Sequence, residues 1–179
     1  MKIASSLDGK SHIESKERTI ITSKSSRDDV QILRASCDAI LTGGNTLRND
    51  NPRMNARVNF PTNQPKKILL TSKDCDKELN FFKDNDVQIY KNKDLAQIIK
   101  SFKDQDFCSI LIEAGPKLAN SFLELGLVDE IISYTSNNEL GDKAVSWFKE
   151  NNAIENYGFK LESSYKIDSD INEVFKKNG

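Results

Sequence analysis

The most constraining feature of this sequence is a set of short apolar runs, two of which end at glycine-containing turns. Residues 39–42 are followed by Gly43-Gly44, and residues 109–113 by Ala114-Gly115-Pro116. Runs without a polar face are typical of strands buried on both faces of a parallel sheet. Because helical patterns alternate with them, the sequence predicts an α/β fold with a mainly parallel central sheet flanked by helices.

The pattern also predicts the individual elements. The predicted strands are residues 2–6, 39–42, 67–71, 87–90, 109–113 and 130–134, and the predicted helices are residues 25–36, 95–102 and 117–125. The tail alternates over residues 158–167 and 171–175, which predicts an antiparallel hairpin at the sheet edge. Residues 49–67 contain three prolines and are predicted to form one long loop.

Length and composition narrow the class of protein. The chain has 179 residues, with 26 Lys+Arg against 27 Asp+Glu, so we expect a single domain without a nucleic-acid-binding surface. Its three cysteines include no C-x-x-C pair, which favours reduced thiols over a disulfide framework. No apolar run approaches the roughly 20 residues of a membrane span. We therefore expect a soluble, cytoplasmic protein with no membrane partner.

The two glycine turns are candidate phosphate sites. Glycine lets a ligand approach the backbone, and the N–H groups of a helix's first turn favour anions. Pro116 suits the first position of a helix, where no N–H bond is lost. The alternative is that both turns are merely tight, since neither matches a G-x-G-x-x-G or Walker fingerprint.

A second candidate cluster surrounds the Asn51-Pro52 dipeptide. Arg48, Arg53 and Arg57 fall within ten positions on the predicted loop, together with Asp50. Arginine binds phosphate in two-point geometry, although a solvated loop is the simpler interpretation of such a cluster. Glu113 ends an apolar strand, so it either meets a partner or ligand or has reached solvent.

Metal and triad chemistry find little support in the sequence. His12 is the only histidine, and His12-Ile13-Glu14 lacks the P-C-x-x-C half of a zinc deaminase signature. No metal site is therefore predicted, and no Ser/His/Asp or Cys/His arrangement is available. Trp147 is interpreted as a packing residue.

Several segments, in this order, resemble the reductase domain of the bacterial bifunctional riboflavin biosynthesis proteins (RibD). They are residues 4–10, 21–23, 33–35, 38–42, 46–52, 113–119 and 126–130. The resemblance implies a dihydrofolate-reductase-like fold over residues 1–179 as a single reductase domain without the deaminase domain. It further implies NADPH as cofactor and the ribose of a phosphorylated pyrimidine, 5-amino-6-(5-phosphoribosylamino)uracil, as the group reduced to its ribityl form.

The resemblance also assigns residues to roles. The implied cofactor contacts are Ala4, Ser6, Ile20, Thr46, Asp50, Ser72, Gly115, Pro116, Lys117, Leu118, Ala119, Asn120 and Ser121. The implied substrate contacts are Lys2, Arg18, Arg34, Arg53, Arg57 and Glu113, with the arginines on the 5-phosphate. Asp50 is the candidate catalytic proton donor, with water and a substrate hydroxyl as alternatives, and Lys73 is a candidate for the 2′-phosphate of NADPH. The prediction is one cleft that holds two phosphate-bearing ligands.

Some positions depart from the family pattern and leave other functions open. Ile20 stands where the family commonly has tryptophan, and Arg18 replaces a small polar residue. The alternatives are reduction of the undeaminated diaminopyrimidine, reduction of a pterin or other small carbonyl, and a catalytically inactive nucleotide-binding domain. The resemblance implies a homodimer and a deaminase domain that is fused or separate. The edge strands of the predicted tail hairpin are a natural interface for the dimer.

Overall fold

The computed structural model describes residues 1–14, 19–83, 86–91, 94–148 and 152–177. The chain divides into two compact units, one made of Met1–Asp28 with Gly115–Gly179 and the other of Asp29–Ala114. We call them the terminal unit and the central unit, and describe each by itself. In the described part of the chain, no helix is long and apolar enough to cross a membrane.

Strands and helices alternate along most of the chain. The strands are β1 (Lys2–Ser5), β2 (Lys10–Ile13), β3 (Ala39–Gly43), β4 (Lys66–Leu70), β5 (Val87–Tyr90), β6 (Ile110–Ile112), β7 (Glu130–Thr135), β8 (Ala144–Ser146), β9 (Phe159–Ile167) and β10 (Asp170–Lys177). The α-helices are α1 (Lys24–Ala35), α2 (Gly44–Asp50), α3 (Leu95–Phe102) and α4 (Pro116–Glu124). Short 3-10 helices cover Asn80–Phe82, Lys103–Gln105 and Ile154–Tyr157.

The central unit is built on a four-stranded sheet in the order β5-β4-β3-β6, and all of its strand pairs are parallel. The first four residues of β3 have no solvent exposure, which explains why its sequence has no polar face. Ile40 of β3 and Leu69 of β4 pack with Leu47 of α2 and Phe81 in one apolar core. The predicted parallel sheet is confirmed.

The terminal unit contains a mixed sheet in the order β1-β7-β10-β9. β1 and β7 are parallel, whereas β10 is antiparallel to both of its neighbours. The turn between β9 and β10 includes Asp168 in the left-handed region, at φ 56°. β9 forms the sheet edge, so the predicted antiparallel hairpin at an edge is confirmed. β2 and β8 form a separate antiparallel pair.

Helix termini follow the signals in the sequence. The hydroxyl of Ser23 accepts from the backbone N–H of Ser26 at 3.2 Å, which caps the start of α1. The carboxylate of Asp94 accepts from two N–H groups in the first turn of α3. Pro116 begins α4, as predicted, and Gly126 follows that helix with a φ of 66°.

One prediction at this level is wrong, and two short strands were missed. The loop expected from residue 49 begins later, because α2 extends to Asp50, so Arg48 and Asp50 are helical rather than loop residues. The short strands β2 and β8 were not predicted. The sequence of β2, Lys-Ser-His-Ile, is too short and polar to show a strand period, and its partner is more than 100 residues away in the chain.

Candidate active site

Arg34 and Glu113, two of the predicted substrate residues, form a buried ion pair in the central unit. Nε of Arg34 donates to Oε1 of Glu113 at 2.6 Å, and Nη2 donates to Oε2 at 2.9 Å. Arg34 is 9% exposed and Glu113 is 6% exposed. The Glu113 carboxylate has therefore not simply reached solvent at the end of its strand. Two-point pairing of this kind is the strong form of a charge-assisted hydrogen bond.

Local structure explains why these two side chains meet. Arg34 lies in the last turn of α1, and Glu113 directly follows β6. The backbone N–H of Glu113 still donates to the carbonyl of Leu41 in β3 at 2.9 Å, so the carboxylate stands at the carboxyl end of a parallel strand. Ligands of α/β sheets bind at this end of the strands. Nη1 of Arg34 also reaches the carbonyl of Asn55 at 3.4 Å.

Arg53 and Arg57 lie on the irregular segment between α2 and β4, as the predicted loop requires, and both are exposed. Between them, Met54 is buried and has a φ of 53°. A non-glycine residue in this region costs about 1–3 kcal/mol, and such residues cluster at binding sites. The loop backbone is therefore fixed next to two exposed cations.

The cofactor residues predicted in the central unit follow two neighbouring parallel strands. Thr46 and Asp50 lie one turn apart on α2, which follows β3, and both are half-buried. Ser72 is exposed just beyond β4, the parallel neighbour of β3. These three side chains therefore follow the carboxyl ends of adjacent strands, which agrees with the general location of ligand sites in such sheets.

Gly44, at the first of the two glycine turns, is explained by packing. A Cβ atom at Gly44 would lie 2.5 Å from Oγ1 and 2.9 Å from Cβ of Thr71. The tight-turn interpretation therefore accounts for this glycine. The Arg48 guanidinium is engaged nearby, since Nη2 donates to Oδ1 of Asn45 at 2.6 Å and Nη1 approaches Sγ of Cys75 at 3.6 Å.

In the terminal unit, Lys2 and Ala4 lie in β1 and are half-buried, and Ser6 directly follows that strand. The hydroxyl of Ser6 is fully buried; it donates to Oδ1 of Asp8 at 2.5 Å and accepts from the N–H of Lys10 at 3.0 Å. The Ser6 hydroxyl, followed by backbone N–H groups, lowers the pKa of Asp8 to about 2. The Ser6 side chain therefore stabilises a turn in the free protein.

The second glycine turn leads into α4. Gly115 occupies the position before the helix, and no side chain caps this end. Nδ2 of Asn120 donates to the backbone carbonyl of Pro116 at 2.8 Å. The hydroxyl of Ser121 donates to the backbone carbonyl of Lys117 at 3.0 Å. Because these side chains bond to their own helix, a phosphate at this end would meet backbone N–H groups.

Trp147, interpreted from the sequence as a packing residue, also connects two of these elements. It is buried, and its Nε1 donates to the carbonyl of Ala4 at 2.6 Å. Its own carbonyl accepts from Nδ2 of Asn120 at 2.7 Å. Trp147 thus fixes β1 against α4, both of which carry predicted cofactor contacts. Nothing in the sequence pattern indicates this role.

Ile20 and Arg18 are the remaining predicted binding residues. Ile20 is 67% exposed, so its side chain is open to solvent. Arg18 lies outside the described residues. Among the residues that the structure describes, no group of three or more His, Cys, Asp or Glu side chains could hold a metal ion.

Known proteins resemble this chain over most of its length. Residues 1–172 match the family described as RibD C-terminal domain. The chain is 30% identical to the riboflavin biosynthesis protein RibD of Buchnera aphidicola, over 99% of this chain and 59% of that protein. It is 31% identical to RibD of Escherichia coli, over 80% of this chain and 49% of that protein. The chain thus spans about half the length of these relatives.

A solved structure shows the same architecture. RibD of Acinetobacter baumannii superposes with a TM-score of 0.89 at 28% identity, covering 99% of this chain and 57% of that one. By sequence and by structure, this chain belongs to the RibD C-terminal domain family and has its dihydrofolate-reductase-like α/β fold.

Proposed function

We propose that this chain reduces the ribosyl group of 5-amino-6-(5-phosphoribosylamino)uracil to the ribitylamino form, with NADPH as cofactor, in riboflavin biosynthesis. The observation that carries the proposal is the match to the RibD C-terminal domain over residues 1–172. The buried Arg34–Glu113 pair at the end of β6 supports it, because a cation and a carboxylate suit a substrate that bears both phosphate and hydroxyl groups.

The proposed substrate contacts are divided by charge. Arg34, Arg53 and Arg57 of the central unit bind the 5-phosphate, and Glu113 accepts from hydroxyl or pyrimidine N–H groups. Lys2 is a further proposed substrate contact. Arg53 and Arg57 are both exposed residues of the central unit. Arg18 stays a prediction for a residue outside the described ranges.

The proposed cofactor contacts use backbone groups as much as side chains. At the start of α4, the N–H groups after Gly115 and Pro116 fit a phosphate of NADPH because no side chain caps them. The same segment supplies Lys117, Leu118, Ala119, Asn120 and Ser121, and the other proposed contacts are Ala4, Ser6, Ile20, Thr46, Asp50 and Ser72. Ser6, Asn120 and Ser121 contribute mainly through the main chain, since their side chains bond within the protein.

The chemistry requires a hydride, a proton and a fixed carbonyl. When bound, NADPH would supply a hydride for the open-chain aldehyde carbon, and the carbonyl oxygen would need one proton to become the hydroxyl. Asp50 is the proposed route for that proton, directly or through water. Holding the cofactor and the substrate close together in the correct orientation raises the rate, and no covalent intermediate is needed.

A single assay separates the proposed function from its alternatives. Oxidation of NADPH is followed by its near-ultraviolet absorbance with three substrates: the phosphoribosylaminouracil, its undeaminated diaminopyrimidine precursor, and a dihydropterin. We expect oxidation with the first. Faster oxidation with the second or third reassigns the substrate, and NADPH binding without oxidation of any of them identifies a binding domain.

Arg57→Ala tests the phosphate contact. We expect KM for the phosphorylated substrate to rise about tenfold or more, because one charged hydrogen-bonding group is lost. Arg57→Lys keeps the charge without the two-point geometry and should give an intermediate KM. A KM that is unchanged in Arg57→Ala would favour a substrate without phosphate, such as a pterin.

We further propose cytoplasmic catalysis by a homodimer together with a deaminase, fused or separate. The greater length of the RibD relatives supports a deaminase partner. The edge strand β9 supports self-association, since an exposed edge can pair with a second copy. Sedimentation of the chain at several concentrations tests the dimer, and a monomer at all of them would contradict it.

A further inference from the structure

Gln64 holds both backbone polar groups of Ala56 in the loop that precedes β4. Oε1 of Gln64 accepts from the N–H of Ala56 at 2.9 Å, and Nε2 donates to the carbonyl of Ala56 at 2.9 Å. One amide side chain thus makes the two hydrogen bonds that a neighbouring strand would make. Pro65 follows Gln64 and restricts the Gln64 backbone to extended conformations.

The residues on either side of Ala56 are held by side chains of α1. Oε1 of Gln31 accepts from the backbone N–H of Arg57 at 3.3 Å. Nη1 of Arg34 donates to the carbonyl of Asn55 at 3.4 Å. Three successive loop residues are therefore each fixed by a different side chain of the central unit.

Restraint of the backbone contrasts with exposure of the arginine side chains. Met54 is buried in the core with a φ of 53°, a conformation that persists only where the surroundings impose it. Arg53 and Arg57 remain exposed. An anchored backbone reduces the conformational freedom that the loop loses when an anion binds to its arginine side chains.

We propose that Gln64 and Gln31 are positioning residues that hold the Arg57 backbone so that its guanidinium meets the substrate phosphate. The inference rests on the proposed function, in which Arg57 contacts that phosphate. Two-point recognition of phosphate depends on the direction as well as the charge of the donors. Gln64 fixes the residue before Arg57, and Gln31 fixes the N–H of Arg57 itself.

Gln64→Ala is the central test. We expect KM for phosphoribosylaminouracil to rise about fivefold with kcat within about twofold, since substrate binding is weakened rather than the chemical step. Amide hydrogen exchange at Ala56 should accelerate, because its N–H loses its acceptor. Gln31→Ala should raise KM in the same direction. The control is Gln97→Ala, an exposed glutamine on α3 in the same unit, which should change neither measurement.

A variant of nearly equal size guards against a trivial loss of folding. In Gln64→Glu, the carboxylate still accepts from the N–H of Ala56 but offers no proton to its carbonyl. We therefore expect a raised KM at neutral pH and partial recovery as the pH is lowered and the carboxyl group gains a proton. If Gln64 has only a structural role, KM should have the same pH dependence in Gln64→Glu and in Gln64→Ala. If Gln64 positions Arg57, KM should show this additional pH dependence in Gln64→Glu alone.

The double variant with Arg57→Ala shows where a failure lies. If Gln64 acts through Arg57, adding Gln64→Ala to Arg57→Ala produces no further rise in KM. An equal further rise, or an unchanged KM in Gln64→Ala while Arg57→Ala raises it, overturns the positioning role and leaves the proposed function intact. An unchanged KM in Arg57→Ala itself overturns the phosphate contact and the positioning role together.

Discussion

Arg34 and Glu113 are each other's partners in the protein as it stands, and both are buried. Replacing a buried ion pair by apolar side chains is often neutral or stabilising, because removal of two charges from water costs about as much as their attraction returns. Stability alone therefore gives little reason for an ion pair at this position. A role in holding the substrate gives a reason for this ion pair. The contribution of the pair to stability and its contribution to activity can be measured separately.

Glu113→Leu leaves the buried Arg34 guanidinium without its carboxylate, and we expect the free energy of unfolding to fall by about 3–5 kcal/mol. Arg34→Met combined with Glu113→Leu removes both charges and should recover most of that loss in urea unfolding. Both variants should fail to oxidise NADPH with substrate. A double variant that is stable and retains normal turnover would remove this pair from the proposed active site.

Asp50→Asn tests the proton route. The amide keeps the size of the side chain but cannot deliver a proton, so we expect kcat to fall about a hundredfold. Asp104→Asn, at an exposed aspartate in the same unit, is the matched control. Full turnover with an unchanged pH profile would leave water or a substrate hydroxyl as the donor.

At the scale of elements, Asp170 joins the start of β10 to the start of α1. Its Oδ2 accepts from the N–H of Ser23 at 2.7 Å and from the hydroxyl of Ser26 at 2.6 Å. Burial raises the pKa of Asp170, but these hydrogen bonds outweigh it and hold the pKa below its ordinary value. The charged form is therefore the form that stabilises this junction.

The pH dependence of that junction has a definite sign. Because the pKa is lower in the folded protein, the stabilisation is fully present above the unfolded value of about 3.9. It is lost as the pH falls through the folded pKa. We expect Asp170→Asn to cost about 1–3 kcal/mol at neutral pH, since two hydrogen bonds to a charged group are weakened. In urea unfolding, the gap between wild type and variant should close in strong acid; a constant gap would contradict this cause.

The local sequence pattern was sufficient to predict elements that are uniformly buried. It was insufficient where contacts between distant residues determine the environment of a side chain. The apolar run of β3 and the proline that opens α4 are local signals, and both are confirmed. Lys67 shows the limit, because it is fully buried in β4 with Nζ bonded to the carbonyls of Phe81 at 2.9 Å and Lys83 at 3.1 Å. No sequence period distinguishes such a lysine from an exposed one.

The sequence predicted which residues belong to the candidate site, but it did not predict which of them form hydrogen bonds with each other. Arg34 and Glu113 were identified singly, yet their pairing joins positions 79 residues apart. Gln64, Gln31 and Trp147 carry no chemical signature, because amides and indoles at these positions fit ordinary loops, helices and cores. Their importance comes from backbone groups that they bond, which a sequence of side chains does not show.

At the scale of the whole molecule, the terminal unit is assembled from two distant stretches of chain. Its sheet requires β1 to pair with β7, so Lys2 lies against Ile132 although the entire central unit separates them in sequence. Such non-local pairing slows folding. Whatever the folding rate, a ligand that binds only the folded chain raises the free energy of unfolding.

NADPH provides that measurement. At a concentration one hundred times its Kd, a ligand that binds only the native state adds about 2.7 kcal/mol to the free energy of unfolding. We expect a gain of this size for NADPH in urea unfolding followed by circular dichroism, and a smaller gain for NADH at the same concentration. A gain with NADPH but no turnover would indicate a binding domain, and no gain would contradict the cofactor proposal.

Lys73→Ala tests the basis of that preference. Lys73 is exposed, and its backbone is held by Thr71, whose hydroxyl donates to the Lys73 carbonyl at 2.8 Å. If its ammonium group binds the 2′-phosphate, the variant should lose about tenfold in NADPH affinity, or about 1.4 kcal/mol of the stabilisation. NADH, which lacks that phosphate, should stabilise both proteins equally. Lys100→Ala, on the exposed side of α3, should behave like wild type, and an unchanged preference in Lys73→Ala would assign the 2′-phosphate to another cation.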